Sequence, residues 1–99
     1  MFDRGVEREA KELAPDDPQI SDTLGWILYK RGLYQRARAL LKESVARLPD
    51  NAEVQYHYGM ASWKTGDSDG AKTALRVAAN STRDFPGRDE ARKTLNELR

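Results

Sequence analysis

The sequence matches itself when it is shifted by 34 residues, and this period constrains the fold more than any other feature. The matching residues are those that end or pack helices: Pro15 with Pro49, Gly25 with Gly59, Lys30 with Lys64, Gly32 with Gly66, Ala37 with Ala71 and Leu41 with Leu75. A period of about 34 residues is typical of a helix–turn–helix unit that stacks on its neighbours to bury its apolar face. The sequence therefore predicts an all-α stack of antiparallel helix pairs.

Residues typical of helix ends divide the chain into about six helices. Asp17 before Pro18 is typical of an N-cap followed by proline at the first helical position. Gly32 and Gly66 are expected to end helices in the left-handed conformation, and Pro49 forbids a helix from continuing. Asn51 is expected to cap one helix, and Asp67 or Ser68 the next. The predicted helices cover residues 3–14, 18–31, 34–47, 52–65 and 69–80, and a final one that Phe85-Pro86-Gly87 opens.

These helices are expected to form one domain. Residues 2–15, with Val6, Ala10 and Leu13 on one face, are interpreted as the second helix of a preceding repeat. Residues 18–51 and 52–84 are two full repeats, and residues 86–99 form a C-terminal capping helix. The 34-residue register fails at Arg83, where a third proline would be expected. Atypical terminal repeats are common because their outer face meets water.

The composition argues against several function classes. The formal net charge is +1 although 33% of the residues are charged, so no strong field favours nucleic acid or an anionic membrane. The absence of cysteine excludes disulfides and thiol chemistry and leaves the compartment open, cytoplasmic or bacterial cell envelope. No apolar run is long enough to span a bilayer, so this chain is not expected to insert into a membrane.

The repeated residues resemble the tetratricopeptide repeat (TPR) family. The first full repeat supplies Leu24-Gly25, Leu28, Ala37, Leu41 and Pro49, and the second supplies Tyr58-Gly59, Ala71 and Leu75. Departures are Ser21 and Gln55 in place of an early tryptophan, and the small Ser62. The resemblance implies a right-handed superhelical stack that binds proteins or peptides. A fainter likeness, in Phe85-Pro86-Gly87, Glu90-Ala91-Arg92 and Leu95, is to the ends of bacterial TPR lipoproteins of exopolysaccharide and PEP-CTERM export systems, and it implies a cell-envelope setting.

The expected partner site is an aromatic face on the first helix of each full repeat. With about 100° of rotation per residue, one side of each helix gathers residues that are expected to face the core: Ile20, Leu24, Ile27 and Leu28, then Val54, Tyr58, Ala61 and Ser62. The side that faces away from the core gathers Asp22, Trp26, Tyr29 and Lys30, then Tyr56, Met60, Trp63 and Lys64. By the family resemblance these eight residues line a concave groove, where an extended segment or amphipathic helix of a partner would lie.

Several alternatives stay open at this stage. The rings could only pack between neighbouring first helices, and Gly25 is expected to let the helices of a pair approach closely, with Ala37 opposite. Other roles are an architectural end segment of a longer solenoid, a self-associating module that forms a homodimer, and, less favoured, an RNA-binding helical repeat. No cofactor, metal site or catalytic group is expected. His57 has no second histidine at ligand spacing and is interpreted as a partly exposed polar residue.

Overall fold

The computed structural model describes residues 17–98, and all regular structure in this range is α-helical. The helices are α1 (Pro18–Lys30), α2 (Tyr34–Arg47), α3 (Ala52–Lys64), α4 (Ser68–Ala79) and α5 (Arg88–Leu98). Their bounds differ from the predicted ones by no more than two residues, and the predicted all-α class is confirmed. The helix predicted over residues 3–14 lies outside the described residues. None of the described helices is long and apolar enough to cross a membrane.

Side-chain caps fix where three of the helices begin. Asp17 accepts a hydrogen bond from the Gln19 amide, and Asn51 accepts one from the Val54 amide. Asp67, rather than Ser68, caps α4 by accepting from the Gly70 amide at 2.9 Å. Each cap satisfies a backbone donor that the first turn of a helix leaves without a partner. The predicted start signals are therefore confirmed at these helices.

Two glycines end the first helix of each pair by the same hydrogen-bonded turn. Gly32 has a φ of +83° and Gly66 a φ of +90°, a conformation that side chains disfavour. In each turn the amide after the glycine donates to a carbonyl five residues earlier, Leu33 to Leu28 and Asp67 to Ser62. This pattern is the Schellman motif. It reverses the chain after α1 and after α3, so α1 packs against α2 and α3 against α4.

The close approach of the paired helices repeats at the 34-residue period. A Cβ atom at Gly25 would lie 2.6 Å from Leu41 Cγ, and one at Gly59 would lie 2.7 Å from Leu75 Cγ. The predicted close approach at Gly25 is confirmed. At Gly25 the two nearest atoms belong to Leu41, and the third is the carbonyl oxygen of Ala37, at 3.3 Å.

The buried side chains form two clusters that continue into each other along the stack. The first joins α1 and α2 and contains Leu24, Leu28, Leu40 and Leu41, with Ala61 from α3. The second joins α3, α4 and α5 through Tyr56, Met60, Leu75, Ala91 and Leu95. Ile27 was expected in the core, but 40% of its surface is exposed. On an α-helix it lies about 100° from Leu28, too far round to join Leu24 and Leu28 against α2.

The last helix departs from the repeat because the loop before it is longer. In the 34-residue register, α4 ends two residues early and α5 begins two residues late. Within this loop, Gly87 has a φ of +107°, and a Cβ there would overlap the Tyr56 ring. The outward residues of α5 are charged or polar, among them Asp89, Lys93 and Glu97. This pattern is typical of a helix with one face in water.

An ion pair connects the second helix of one pair to the start of the next. Arg38 on α2 donates to Asp67 at 2.7 Å, while Asp67 also caps α4. The hydrogen bond from the Gly70 amide, aided by the Arg38 guanidinium, holds the pKa of the Asp67 carboxyl below its usual value. Asp67 therefore serves both helix α4 and the junction between the two pairs.

A first prediction concerns the contact between Gly25 and Leu41. Gly25→Leu should lower the free energy of unfolding by about 1–3 kcal/mol, because overpacking pushes paired helices apart. Urea denaturation monitored by circular dichroism measures the change. Thr23→Leu adds bulk at an exposed position of the same helix and is the control. Equal stability of the two variants would contradict the tight approach.

A second prediction compares two fully buried serines. The Ser44 hydroxyl donates to the Pro18 carbonyl at 2.7 Å, whereas the Ser62 hydroxyl has no hydrogen-bond partner. Ser62→Ala should raise the free energy of unfolding by about 1 kcal/mol, because it removes a buried hydroxyl that has no partner. Ser44→Ala should lower the free energy of unfolding by about the same amount, because it removes a hydrogen bond. Chemical denaturation of both variants provides the test, and shifts of the same sign and size would refute the assignment.

Candidate functional site

The predicted aromatic face lies where α1 meets α3. Three of its rings, those of Trp26, Tyr29 and Trp63, are partly buried and pack against the same core cluster as Phe85 and Leu98. Lys30 and Lys64 are exposed at the ends of their helices. Tyr34 of α2 contacts both Tyr29 of α1 and the Lys64 ammonium of α3, so residues from both first helices meet at one surface. We call Trp26, Tyr29, Lys30, Trp63 and Lys64 the aromatic surface.

Trp26 is the centre of the ring contacts. It stacks on Tyr29 with centroids 4.5 Å apart and planes 9° from parallel. It also stacks on His57 of α3, with centroids 4.1 Å apart. The Tyr56 ring is tilted against Trp26 at 5.3 Å. Aromatic pairs at these separations contribute about 0.5–1.5 kcal/mol beyond the area that they bury. Trp26 thus packs between the first helices of the two pairs.

The two lysines lie beside aromatic rings. The Lys30 ammonium is 5.7 Å from the Trp26 centroid, and the Lys64 ammonium is 4.7 Å from the Trp63 centroid and 5.7 Å from that of Tyr34. Tyr34, at the start of α2, also meets Tyr29 edge-on at 5.3 Å. These distances are within cation–π range, so each lysine extends the surface of a ring with a positive charge.

Two predicted members of the face are buried instead. Tyr56 is 8% exposed and Met60 4%, so the prediction that they face away from the core is wrong. The reason is α5, which packs on α3 and α4 and, with Ala91 and Leu95, completes the cluster that buries both side chains. Phe85, in the loop before α5, lies 6.1 Å from the Tyr56 ring.

Asp22 is also less open than the sequence implied. Its carboxylate lies 2.7 Å from Nδ1 of His57, and the side chains are 13% and 7% exposed. The interpretation of His57 as a partly exposed flank residue is therefore wrong. The reason is that α1 packs across this side of α3, with Trp26 stacked on the imidazole. The second ring nitrogen lies 4.0 Å from the Glu53 carboxylate.

Burial changes the acidity of two phenols in this region. Desolvation, with smaller contributions from Tyr34, Tyr56 and Glu90, raises the pKa of Tyr29 to about 12. Desolvation also raises the pKa of Tyr56, and Glu90 and Glu53 add to the effect. Both residues therefore stay neutral over the physiological range and offer a hydroxyl without a charge.

Sequence reasoning missed three side chains at this site. These are His57, Tyr34 and Phe85. A signal for His57 was present in the sequence. The 34-residue register aligns Asp22 with Tyr56, the residue immediately before the histidine. Tyr34 and Phe85 lie at helix ends and in a loop, where the helical period gives no direction. Among residues 17–98, no group of three histidine, cysteine or acidic residues could hold a metal ion.

Comparison with known proteins agrees with the fold. A family model described as "Tetratricopeptide repeat" matches residues 28–87. A TPR repeat-containing protein of Pseudomonas aeruginosa is 43% identical over 51 residues. That match covers 52% of this chain and 8% of the relative, so the chain corresponds to a small part of that protein's length.

A third prediction concerns the titration of Tyr29. Its folded-state pKa of about 12 exceeds the ordinary value of 10.0, so its contribution to stability is fully present below pH 10 and is lost as the pH rises toward 12. Absorbance at 295 nm should show a late tyrosine step, to which Tyr56 also contributes because its pKa is raised. Tyr29→Phe should reduce the amplitude of that step, and the variant should lose less stability at alkaline pH. Tyr58→Phe, the control, should leave that step in place. A smaller late step in the control, or an undiminished late step in Tyr29→Phe, would contradict the assignment.

Proposed function

Because this chain belongs to the tetratricopeptide repeat family, whose helix pairs mediate protein–protein interaction, we propose that it binds a segment of a partner protein across the aromatic surface. Tetratricopeptide repeats are scaffolds without catalytic activity of their own, and we propose the same for this chain. The finer part of the proposal, the surface and the chemistry of the ligand, depends on the arrangement of rings and lysines on α1 and α3.

The observation that carries the proposal is the pairing of partly buried rings with lysines that have no acidic partner among residues 17–98. Within the described part of the chain, neither Lys30 nor Lys64 makes an ion pair with a carboxylate. A lysine in the last turn of a helix also interacts favourably with the helix dipole, which accounts for its position but not for the ring beside it. A lysine beside a ring occurs again one period later, although the rings differ, with Trp26 beside Lys30 and with Trp63 and Tyr34 beside Lys64. This recurrence favours a surface that a ligand can follow.

These features define the ligand chemistry. Trp63 and Tyr29 would contact apolar side chains, while Lys30 and Lys64 would pair with carboxylates on the same segment. Aromatic residues in a partly sheltered surface are typical binding hot spots. An extended acidic peptide with apolar residues, or an amphipathic helix with an acidic flank, therefore fits the surface. Tyr56 and Met60 would act beneath this surface, by supporting it from the core.

The clamp that grips a terminal carboxylate in some members of the family has less support. It needs an asparagine beside each clamp lysine, and the chain has Trp26 and Met60 at those positions. Trp26 is occupied by its stacking on Tyr29 and His57, and Met60 is buried. We therefore propose recognition of side chains along a segment rather than of a chain end.

A fourth prediction tests the proposal with selected peptides. Peptides from a displayed random library that bind the wild-type chain should be acidic and carry large apolar residues. Trp63→Ala should weaken their binding by about 1–2 kcal/mol, which is roughly five- to thirtyfold in Kd. Lys64→Ala should weaken it less and reduce its dependence on salt. Fluorescence anisotropy of labelled peptides gives the constants.

Two exposed residues elsewhere provide matched controls for that experiment. Val77→Ala removes an exposed apolar side chain from α4, and Lys93→Ala removes an exposed lysine from α5. Neither should change the affinity of the selected peptides. Peptides that bind Trp63→Ala as tightly as the wild type would place the ligand on another surface.

The architectural and self-associating alternative predicts a different result. Ile27 on α1 is exposed, and Ile27→Glu should dissociate a dimer formed through that helix. Size-exclusion chromatography with light scattering separates the two proposals. A monomer that binds selected peptides favours the scaffold role, whereas a dimer that Ile27→Glu abolishes favours self-association.

A further inference from the structure

We propose that Asp22 and His57 act as a positioning pair, which locks Trp26 in its stacked orientation and thereby sets the shape of the aromatic surface. The inference rests on the proposed binding function and assigns these two residues a role in it. It also changes the role of Asp22, from a residue that touches the partner to one that acts through His57 and Trp26.

The two residues are 35 positions apart in sequence, and their hydrogen bond connects α1 to α3. Asp22 lies in the second turn of α1, and His57 lies in the middle of α3. The carboxylate oxygen and Nδ1 are 2.7 Å apart, which is short for a hydrogen bond between nitrogen and oxygen. With 13% and 7% of the two side chains exposed, the bond is largely withdrawn from water. It is therefore a specific contact between the two first helices.

Hydrogen-bond chemistry fixes the orientation of the imidazole. An ionised carboxylate only accepts hydrogen bonds, so Nδ1 carries the hydrogen and donates it to Asp22. Nε2 then faces the Glu53 carboxylate, 4.0 Å away on the same helix. The hydrogen bond to Asp22 restricts the imidazole, and Trp26 stacks on the ring 21° from parallel. A change at Asp22 would thus reach Trp26 through the imidazole, in addition to any contact between these i, i+4 neighbours along α1.

The energetics favour positioning over stabilisation as the purpose of the pair. Burying a charged group and its partner carries a desolvation penalty that can cancel the attraction between them. Apolar side chains of similar size would pack as well, but they would accept several orientations. A hydrogen-bonded polar pair accepts only one orientation, so it specifies how α1 packs on α3.

The test follows Trp26 spectroscopically in the full chain with Trp63→Phe, which leaves Trp26 as the single tryptophan. In this background we compare Asp22→Asn, Asp22→Leu, His57→Phe and the double variant Asp22→Leu with His57→Phe. Asn keeps an acceptor for the imidazole, while the double variant removes both polar partners together and should recover stability that Asp22→Leu alone loses. Near-ultraviolet circular dichroism and the emission maximum report the environment of Trp26, and thermal melts report stability.

If the pair positions Trp26, the stability of the chain and the order of the Trp26 ring should change independently. Asp22→Asn should keep the parental Trp26 spectra, whereas the double variant should melt near the parent but lose Trp26 dichroism and show red-shifted emission. A double variant with parental stability and parental Trp26 spectra would overturn the proposal. So would Asp22→Asn with the same spectral loss as Asp22→Leu, because the acceptor would then not matter.

A binding measurement keeps this inference distinct from the proposed function. The probe is one selected acidic peptide, titrated into the same variants with Trp63 restored. The double variant should bind it about fivefold more weakly or worse, and Asp22→Asn within about twofold of the wild type. Altered Trp26 spectra with unchanged peptide affinity would uphold the packing role and refute the effect on recognition. Failure of any peptide to bind the wild type would count against the proposed function, while the spectra would still decide the order of Trp26.

Discussion

The rest of the structure depends on the absence of a side chain at two glycines. At Gly25 and Gly59 the first helix of each pair comes so close to a leucine of the second that a Cβ would lie less than 3 Å from it. That approach lets Leu41 and Leu75 be fully buried and sets the spacing within each pair. Because the contact recurs after 34 residues, the two pairs have similar geometry, and their first helices meet along one side.

The two repeats carry different residues where their first helices are in contact. Equivalent positions carry different residues: Trp26 corresponds to Met60, and Asp22 to Tyr56. Since α1 and α3 touch each other, these differences become complementary partners across the junction. Trp26 stacks on His57, and Asp22 accepts its hydrogen bond. The repeat builds the scaffold, while the unequal residues give this junction its own chemistry.

The sequence predicted the helices well because their ends are local chemistry. Caps at Asp17 and Asn51 and the left-handed Gly32 and Gly66 act within a few residues, and the period then pairs the helices. Exposure was harder to predict. The helical wheel assigned Tyr56 and Met60 to an open face, because it describes one helix and contains nothing about α5. Burial of His57 likewise arises from a neighbour 35 residues away, which a single helix cannot reveal.

The C-terminal helix explains why the remaining aromatic surface lies where it does. α5 packs on α3 as α3 packs on α1, so the open side of α3 at Tyr56 is filled by the chain itself. Phe85 and Gly87 close the same region over the Tyr56 ring. What stays accessible is the other end of the first helices, where Lys30 and Lys64 project beside their rings. A ligand that crosses α1 and α3 would therefore meet cations and ring edges at that end, and a buried polar pair would support it from below.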